Sequence, residues 1–273
     1  MYGTIIGDIA GSTLEFCRKK IYDFPMFIKG SDITDDTIMT IAVARALMQW
    51  RKEGGDLHEA MRFHMRDLGR RFPYPMGYYG GNFASWLRSN STKAYYSCGN
   101  GSAMRASPCG LIAASLDEAL ELAKISSEVT HDHPEGIKGA QATAAAVYLA
   151  KTRYTMEEIR TYIHENFYPM DRTLDEIRPK YRFEATCQKS VPESIIAFLE
   201  SHSYEDAIRK VISLGGDADT MAAITGGIAW SYYRFQTEEG LTEDMRKLQN
   251  LAEEFMPEDF IQTVAEFDEL CRD

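Results

Sequence analysis

Gly3-Thr4-Ile5-Ile6-Gly7-Asp8-Ile9-Ala10-Gly11 carries a glycine at every fourth position. In a helix that spacing puts the glycines on one face, since residues four apart lie one above another. A face without side chains lets the helix backbone approach a neighbouring helix closely. The apolar run ends near Glu15, which would suit general acid or base chemistry if desolvated. Its simpler reading is a solvated glutamate beside the basic trio Arg18-Lys19-Lys20, itself a solvated face.

Outward from this segment, the periodicity is helical. Residues 37–50 are apolar all round, as in a buried helix. Residues 115–129 are amphipathic, with Leu116, Ala119, Leu120 and Ala123 at spacings of three and four. Residues 136–151 are alanine-rich and suit close packing. Further helices are predicted over 154–166, 191–201, 204–214, 220–235, 242–256 and 257–271. No run of alternating β-branched residues appears, and no Asn-Gly or Asp-Gly turn joins two such runs. Residues 72–107 are dense in Gly, Tyr, Ser and Asn and read as one long irregular, functional region. Its many aromatics argue that it is ordered. The expectation is a single all-α domain over residues 1–273.

The 273 residues are 44% hydrophobic and 26% charged, ordinary for a soluble globular protein. The net charge of −11 argues against a duplex nucleic-acid surface or an anionic-membrane surface, both of which need dense Lys and Arg. A small phosphate pocket built from backbone N–H groups stays open. Five scattered cysteines without a Cys-x-x-Cys pair fit a reducing cytoplasm better than a disulfide or zinc framework. No leader-like segment and no apolar stretch of about 20 residues is apparent.

Two acidic clusters carry the chemistry. Thr34-Asp35-Asp36-Thr37 and Gly215-Gly216-Asp217-Ala218-Asp219-Thr220 each run into an apolar helical stretch. One reading is helix starts: Thr or Asp caps, with acids in the first turn where the helix dipole favours them. The other is a set of oxygen ligands for a hard divalent cation. Spacing alone leaves both open, because the clusters are some 180 residues apart. Gly99-Asn100-Gly101-Ser102-Ala103-Met104-Arg105 reads as an anion-binding loop or a glycine-rich turn and lacks the Gly-Lys-Ser/Thr ending of a P-loop. Thr130-His131-Asp132-His133 is the one histidine-dense stretch, without zinc-helix spacing, and suits hydrogen bonding to substrate.

Gly7-Asp8-x-x-Gly11 with Glu15, Thr34-Asp35-Asp36-Thr37, Gly99 to Arg105, Thr130-His131 and Gly215-Gly216-Asp217-x-Asp219-Thr220, in this order, resemble the ADP-ribosylglycohydrolase family. Cys187-Gln188-Lys189-Ser190-Val191-Pro192-Glu193 looks like its bacterial branch, that of the dinitrogenase-reductase-activating glycohydrolases. The resemblance implies a compact, orthogonal helical bundle with a binuclear magnesium site, manganese being the alternative ion. It implies Thr34, Asp35, Asp36, Asp217, Asp219 and Thr220 as metal ligands. It implies Gly99, Asn100, Gly101, Ser102 and Met104 as the cradle of an ADP-ribose diphosphate, with His131 near the substrate and Glu15 approaching the scissile ribose. Glu15, Asp36 and Asp219 are the candidate acid and base groups for an oxocarbenium-like glycosidic cleavage.

The activity so implied is hydrolysis of ADP-ribose from a modified acceptor, arginine first, on an ADP-ribosylated protein, by a monomeric enzyme. The alternatives are serine-linked or O-acetyl-ADP-ribose or another ADP-ribose derivative, metal-dependent nucleotide phosphohydrolysis, and a non-catalytic crystallin-like relative. The intact acidic clusters argue against the last.

Overall fold

A computed structural model describes residues 1–17, 20–236 and 240–271; Arg18 and Lys19 of the basic trio lie outside them. The chain runs through α1 (Tyr2–Ser12), α2 (Asp35–Glu53), α3 (Leu57–Arg71), α4 (Gly81–Arg88), α5 (Ser107–Ile112), α6 (Leu116–Glu128) and α7 (Pro134–Lys151). It continues through α8 (Met156–Asn166), α9 (Leu174–Ile177), α10 (Cys187–Leu199), α11 (Tyr204–Ile212), α12 (Ala218–Phe235), α13 (Glu243–Glu253) and α14 (Glu258–Leu270). Among the described residues there is no sheet, only the isolated bridges Thr34–Met76 and Gly99–Thr186. The fold is all-α, as the periodicity predicts.

The glycine face of α1 has its counterpart in α12. A Cβ on Gly3 would stand 2.2 Å from Gly226 O, one on Gly7 2.0 Å from Ala222 O, and one on Gly11 2.4 Å from Ala218 O. The partner numbers fall by four as the α1 numbers rise by four, so the two helices run antiparallel with their backbones touching. The other sides of α1 bury Ile5, Ile6 and Ile9 completely, and every residue of this helix is buried. The pairing fixes one thing that matters for function: the C-terminal end of α1 lies beside the N-terminal end of α12.

Residues 72–107 are not uniformly irregular. They contain α4 and a 3-10 turn over Asn100–Ser102. Gly81 and Asn82 are poor helix formers, and α4 is held instead by burying Phe83, Trp86 and Leu87. Helix α3 was absent from the predicted set although its signals are plain. Asp56 caps it by accepting from the N–H groups of His58 and Glu59, and Leu57, Met61, Met65 and Leu68 form its buried stripe. Helix α10 begins at Cys187, ahead of the predicted 191, with Pro192 inside it rather than at its start.

The α1–α12 seam predicts an asymmetry among glycines. In Gly7→Ala the new Cβ meets backbone, which cannot rotate away, so the helices must part. Overpacking of that kind costs roughly 1–3 kcal/mol, more than the helix propensity gained. Gly81→Ala, with nothing within 4 Å of its Cβ, should be neutral or stabilising. Urea denaturation of both variants checks this; equal midpoints would contradict it.

Candidate active site

Three helix ends meet where α1 finishes. Asp8, fully buried near the end of α1, accepts four hydrogen bonds from the start of α2. Its Oδ2 takes the Thr34 N–H at 3.0 Å, the Thr37 N–H at 3.1 Å and the Thr37 hydroxyl at 2.5 Å, while Oδ1 takes the Thr34 hydroxyl at 2.7 Å. A carboxylate at a helix N-terminus satisfies orphan N–H groups and faces the positive end of the helix dipole. Thr34 is also the N-cap of α2, accepting from the Asp36 N–H. Its hydroxyl is thereby committed within the protein, and Thr34 does not line the cleft.

From this anchor the acids converge. Oxygens of Asp8, Asp36 and Asp219 lie within 4.8 Å of one another, as do those of Glu15, Asp217 and Asp219. Asp219 belongs to both triads, so the two are adjacent. Asp36 Oδ1 and Glu15 Oε2 are buried without a hydrogen-bond donor, which a hard cation would remedy. Thr220 donates to Asp36 Oδ2 at 3.1 Å, and Asn100 Nδ2 donates to Asp217 Oδ2 at 2.8 Å. Asp35 is half-buried and lines the cleft but joins neither triad.

Crowded acids resist ionising. Burial, opposed by its hydrogen bonds from Thr37 and Thr34, raises Asp8 to about 6. Burial, with Asp217 and Asp8 nearby, raises Glu15 to about 7. Asp36 and Asp219 are held well above the usual carboxylate range by burial and then by their acidic neighbours. The donor set, its orphaned oxygens and its electrostatic strain all fit divalent cations.

Beside the acids opens a cleft of ≈ 360 Å³. Gly99, Asn100, Gly101, Met104 and His131 line it, and the Thr34 and Ser102 side chains do not. The Ser102 hydroxyl instead donates to Gly136 O at 2.7 Å, tying the loop to α7. Burial, and then the nearby Arg105, hold His131 well below the usual imidazole range, so it is neutral. Among the described residues no lysine or arginine lines this cleft.

Sequence reasoning assigned no role to Asp8 or Thr37, though both stood in its motifs, and it missed the cleft wall formed by Gly77, Tyr78, Tyr79, Phe83, Tyr95 and Phe183. Gly77 has φ +77°, and a Cβ there would lie 2.8 Å from Glu15 Oε2. Only glycine lets this loop close over Glu15 in that conformation. Tyr78 next to it is held at φ +64°, a costly conformation for tyrosine that belongs to functional loops. The glycine and tyrosine density of 77–81 was the legible signal.

The model of the family described as ADP-ribosylglycohydrolase matches residues 1–270. The chain belongs to that family. As an ADP-ribosylglycohydrolase it is an enzyme, a hydrolase acting on glycosyl bonds of ADP-ribose. It is 26% identical over 266 residues to an ADP-ribosylarginine hydrolase of Pseudomonas putida (strain GB-1), covering 85% of this chain and 69% of that protein. It is 28% identical to the mouse (Mus musculus) ADP-ribosylhydrolase ARH3, covering 73% and 69%. It is 24% identical to the ADP-ribosyl-[dinitrogen reductase] glycohydrolase of Rhodospirillum rubrum, covering 85% and 83%. A solved structure described as an ADP-ribosylglycohydrolase-related protein complex superposes with a TM-score of 0.63 over 98% of both chains at 18% identity, which shows the shared fold.

The ADP-ribosylglycohydrolase site makes metal-free stability depend on pH in a definite sense. A carboxyl whose affinity for protons is higher folded than unfolded stabilises below the unfolded range, near about pH 4. That contribution is lost as pH rises through about 6 for Asp8 and about 7 for Glu15. Asp259, held low mainly by Arg71, acts oppositely at more acidic pH. His131 and His64, held low by burial, oppose the acids within this range, but Asp8, Glu15, Asp36 and Asp219 outnumber them. Chelator-treated protein should therefore lose thermal stability from about pH 4.5 to 7.5, and Asp219→Asn should flatten the loss. Melting curves across this range decide it; a midpoint that climbs with pH would contradict the assignment.

Proposed function

We propose that this chain is a magnesium-dependent hydrolase that frees ADP-ribose from arginine side chains, acting as one catalytic domain. One observation carries the choice of acceptor: Glu15, Asp35, Asp36, Asp217 and Asp219 line the cleft, and among the described residues no cationic side chain does. Two divalent ions would set four positive charges against these five carboxylates, with Asp8 a sixth behind them. The remaining negative charge suits a permanently cationic guanidinium better than a neutral serine ether. The naming of the Pseudomonas putida relative as an ADP-ribosylarginine hydrolase supports the same reading.

The all-oxygen donor set supports magnesium, with manganese second. Asp8, Asp36 and Asp219 would hold one ion and Asp217 and Asp219 the other, with Glu15, Asp35 and Thr220 beside them. When bound, the ions would orient ribose hydroxyls and acidify a bound water. Asn100, its flanking glycines and Met104 present the wall for the diphosphate, with His131 beside it. Ser102 and Thr34 support this wall and the acidic floor respectively rather than meeting substrate. Glu15, half-buried at the cleft with an oxygen that has no hydrogen-bond donor, is suited to take the proton of the attacking water. The same carboxyl then protonates the departing nitrogen as the bond to the anomeric carbon breaks. The five free cysteines support a reducing, cytoplasmic setting.

Purified protein offered arginine-linked, serine-linked and O-acetyl-ADP-ribose with magnesium should cleave the arginine adduct and release intact ADP-ribose. Cleavage of only the serine or acetyl ester form would overturn the acceptor assignment, and release of AMP would overturn the glycosidic assignment. Asp36→Asn and Asp219→Asn should each lower turnover by a factor on the order of 10³ with the helical circular dichroism unchanged.

A further inference from the structure

Arg105 is the largest fully buried side chain, 1% exposed. Its Nη2 donates to Ser126 O at 3.0 Å and to Thr130 Oγ1 at 2.7 Å, while Nε has no partner. Among the described residues no carboxylate forms an ion pair with it. A buried charge satisfied this sparingly is expensive, and what it contacts shows a use.

Guanidinium is a donor only, so Thr130 Oγ1 accepts from Arg105 and its single proton must go elsewhere. His131 Nδ1 lies 2.8 Å away. The hydroxyl of Tyr95, whose ring meets the His131 ring edge-on at 5.5 Å, lies beside Thr130 and has no other partner; donating its proton to Thr130 Oγ1, it takes the second lone pair there. The Thr130 proton therefore goes to Nδ1, which must accept it, and the imidazole proton sits on Nε2. The opposite tautomer would aim an Nδ1–H at Thr130, turn the threonine proton to Tyr95 and leave the buried Tyr95 proton without an acceptor. Nε2 faces the loop of the cleft, 3.2 Å from where a Cβ would stand on Gly101 and 3.6 Å from one on Gly99.

We propose that Thr130, oriented by Arg105, is a positioning residue that fixes His131 as the Nε2–H tautomer, so that the cleft always meets its anionic ligand with a donor. Without that restraint the Nδ1–H tautomer, which presents a lone pair to diphosphate oxygens, is populated as well. The proposal rests on the cleft binding ADP-ribose, but its first readout needs no ligand. Long-range proton–nitrogen correlation spectra of protein labelled with ¹⁵N-histidine, with His131→Gln used to assign the resonance, should show His131 neutral and protonated on Nε2 at neutral pH. Protonation on Nδ1 or an even mixture in the unmodified protein would overturn the proposal without bearing on the activity. Thr130→Val, close in shape but without the hydroxyl, should give mixed tautomers and weaken ADP-ribose binding by about 10-fold in calorimetry, the scale of a hydrogen bond to a charged group. Thr130→Ser should restore both. A Thr130→Val protein that keeps the Nε2–H signature, or that changes tautomer without losing affinity, would also overturn it. Failure of the unmodified protein to bind ADP-ribose at all would instead refute the functional reading.

Discussion

The buried carboxylate of Asp8 is the interaction on which this molecule turns. It lies on a helix that is buried along its whole length, where an isolated charge would be costly. Four donors from the start of α2 make the position tenable. In return they bolt the N-terminus of α2 to the end of α1. Because α1 touches α12 backbone to backbone, the same end of α1 also delivers the N-terminus of α12. Asp36 arrives by the first connection and Asp217 and Asp219 by the second, so clusters far apart in the chain share one floor. A side chain longer than hydrogen at Gly7 or Gly11 would move one connection relative to the other.

Bringing these acids together works against stability in the metal-free protein. The packing of the floor excludes water, and excluding water raises the proton affinity of each carboxyl. A divalent ion would reverse both penalties at once, since it would supply charge and a partner for the orphaned oxygens of Asp36 and Glu15. Affinity for a cation would thus be built from strain that the rest of the fold must carry. The alanine-rich α7 and the apolar faces of α2, α10 and α12 supply that support as one continuous core. The opposite wall of the cleft has a different logic. There the polar groups, such as Ser102 and Thr130, are spent on holding a glycine loop and an imidazole in place.

Much of this was legible in the residues. The glycine spacing of α1 announced close packing, and the acidic clusters announced helix starts, because both follow from local chemistry. What periodicity does not encode is which segments meet. The convergence of Asp36 with Asp219 depends on the α1–α12 seam, a contact between the two ends of the sequence. Helix α4 was hidden because Gly81 and Asn82 disfavour a helix locally, and only burial of Phe83, Trp86 and Leu87 imposes one. Asp8 was overlooked for a related reason: an acid in an apolar helix looks like an interruption until its partners are known. Ser102 carried a binding signature, yet its hydroxyl turns to α7, which no spacing rule distinguishes from a turn toward a ligand.

The two acidic clusters start their helices in different ways. At α2 the tasks are divided: Thr34 caps, and the first-turn Asp36 keeps an oxygen unpaired. At α12 the N-cap position belongs to Asp217, which makes no side-chain cap. Its carboxylate turns instead to Asn100, on the opposite wall of the cleft. Helix α12 forgoes the stabilisation of roughly 1 kcal/mol that a capping aspartate normally supplies. It can do without it because the seam with α1 already fixes its first turn. The freed carboxylate links the acidic floor to the glycine loop, so one residue couples the two halves of the cleft.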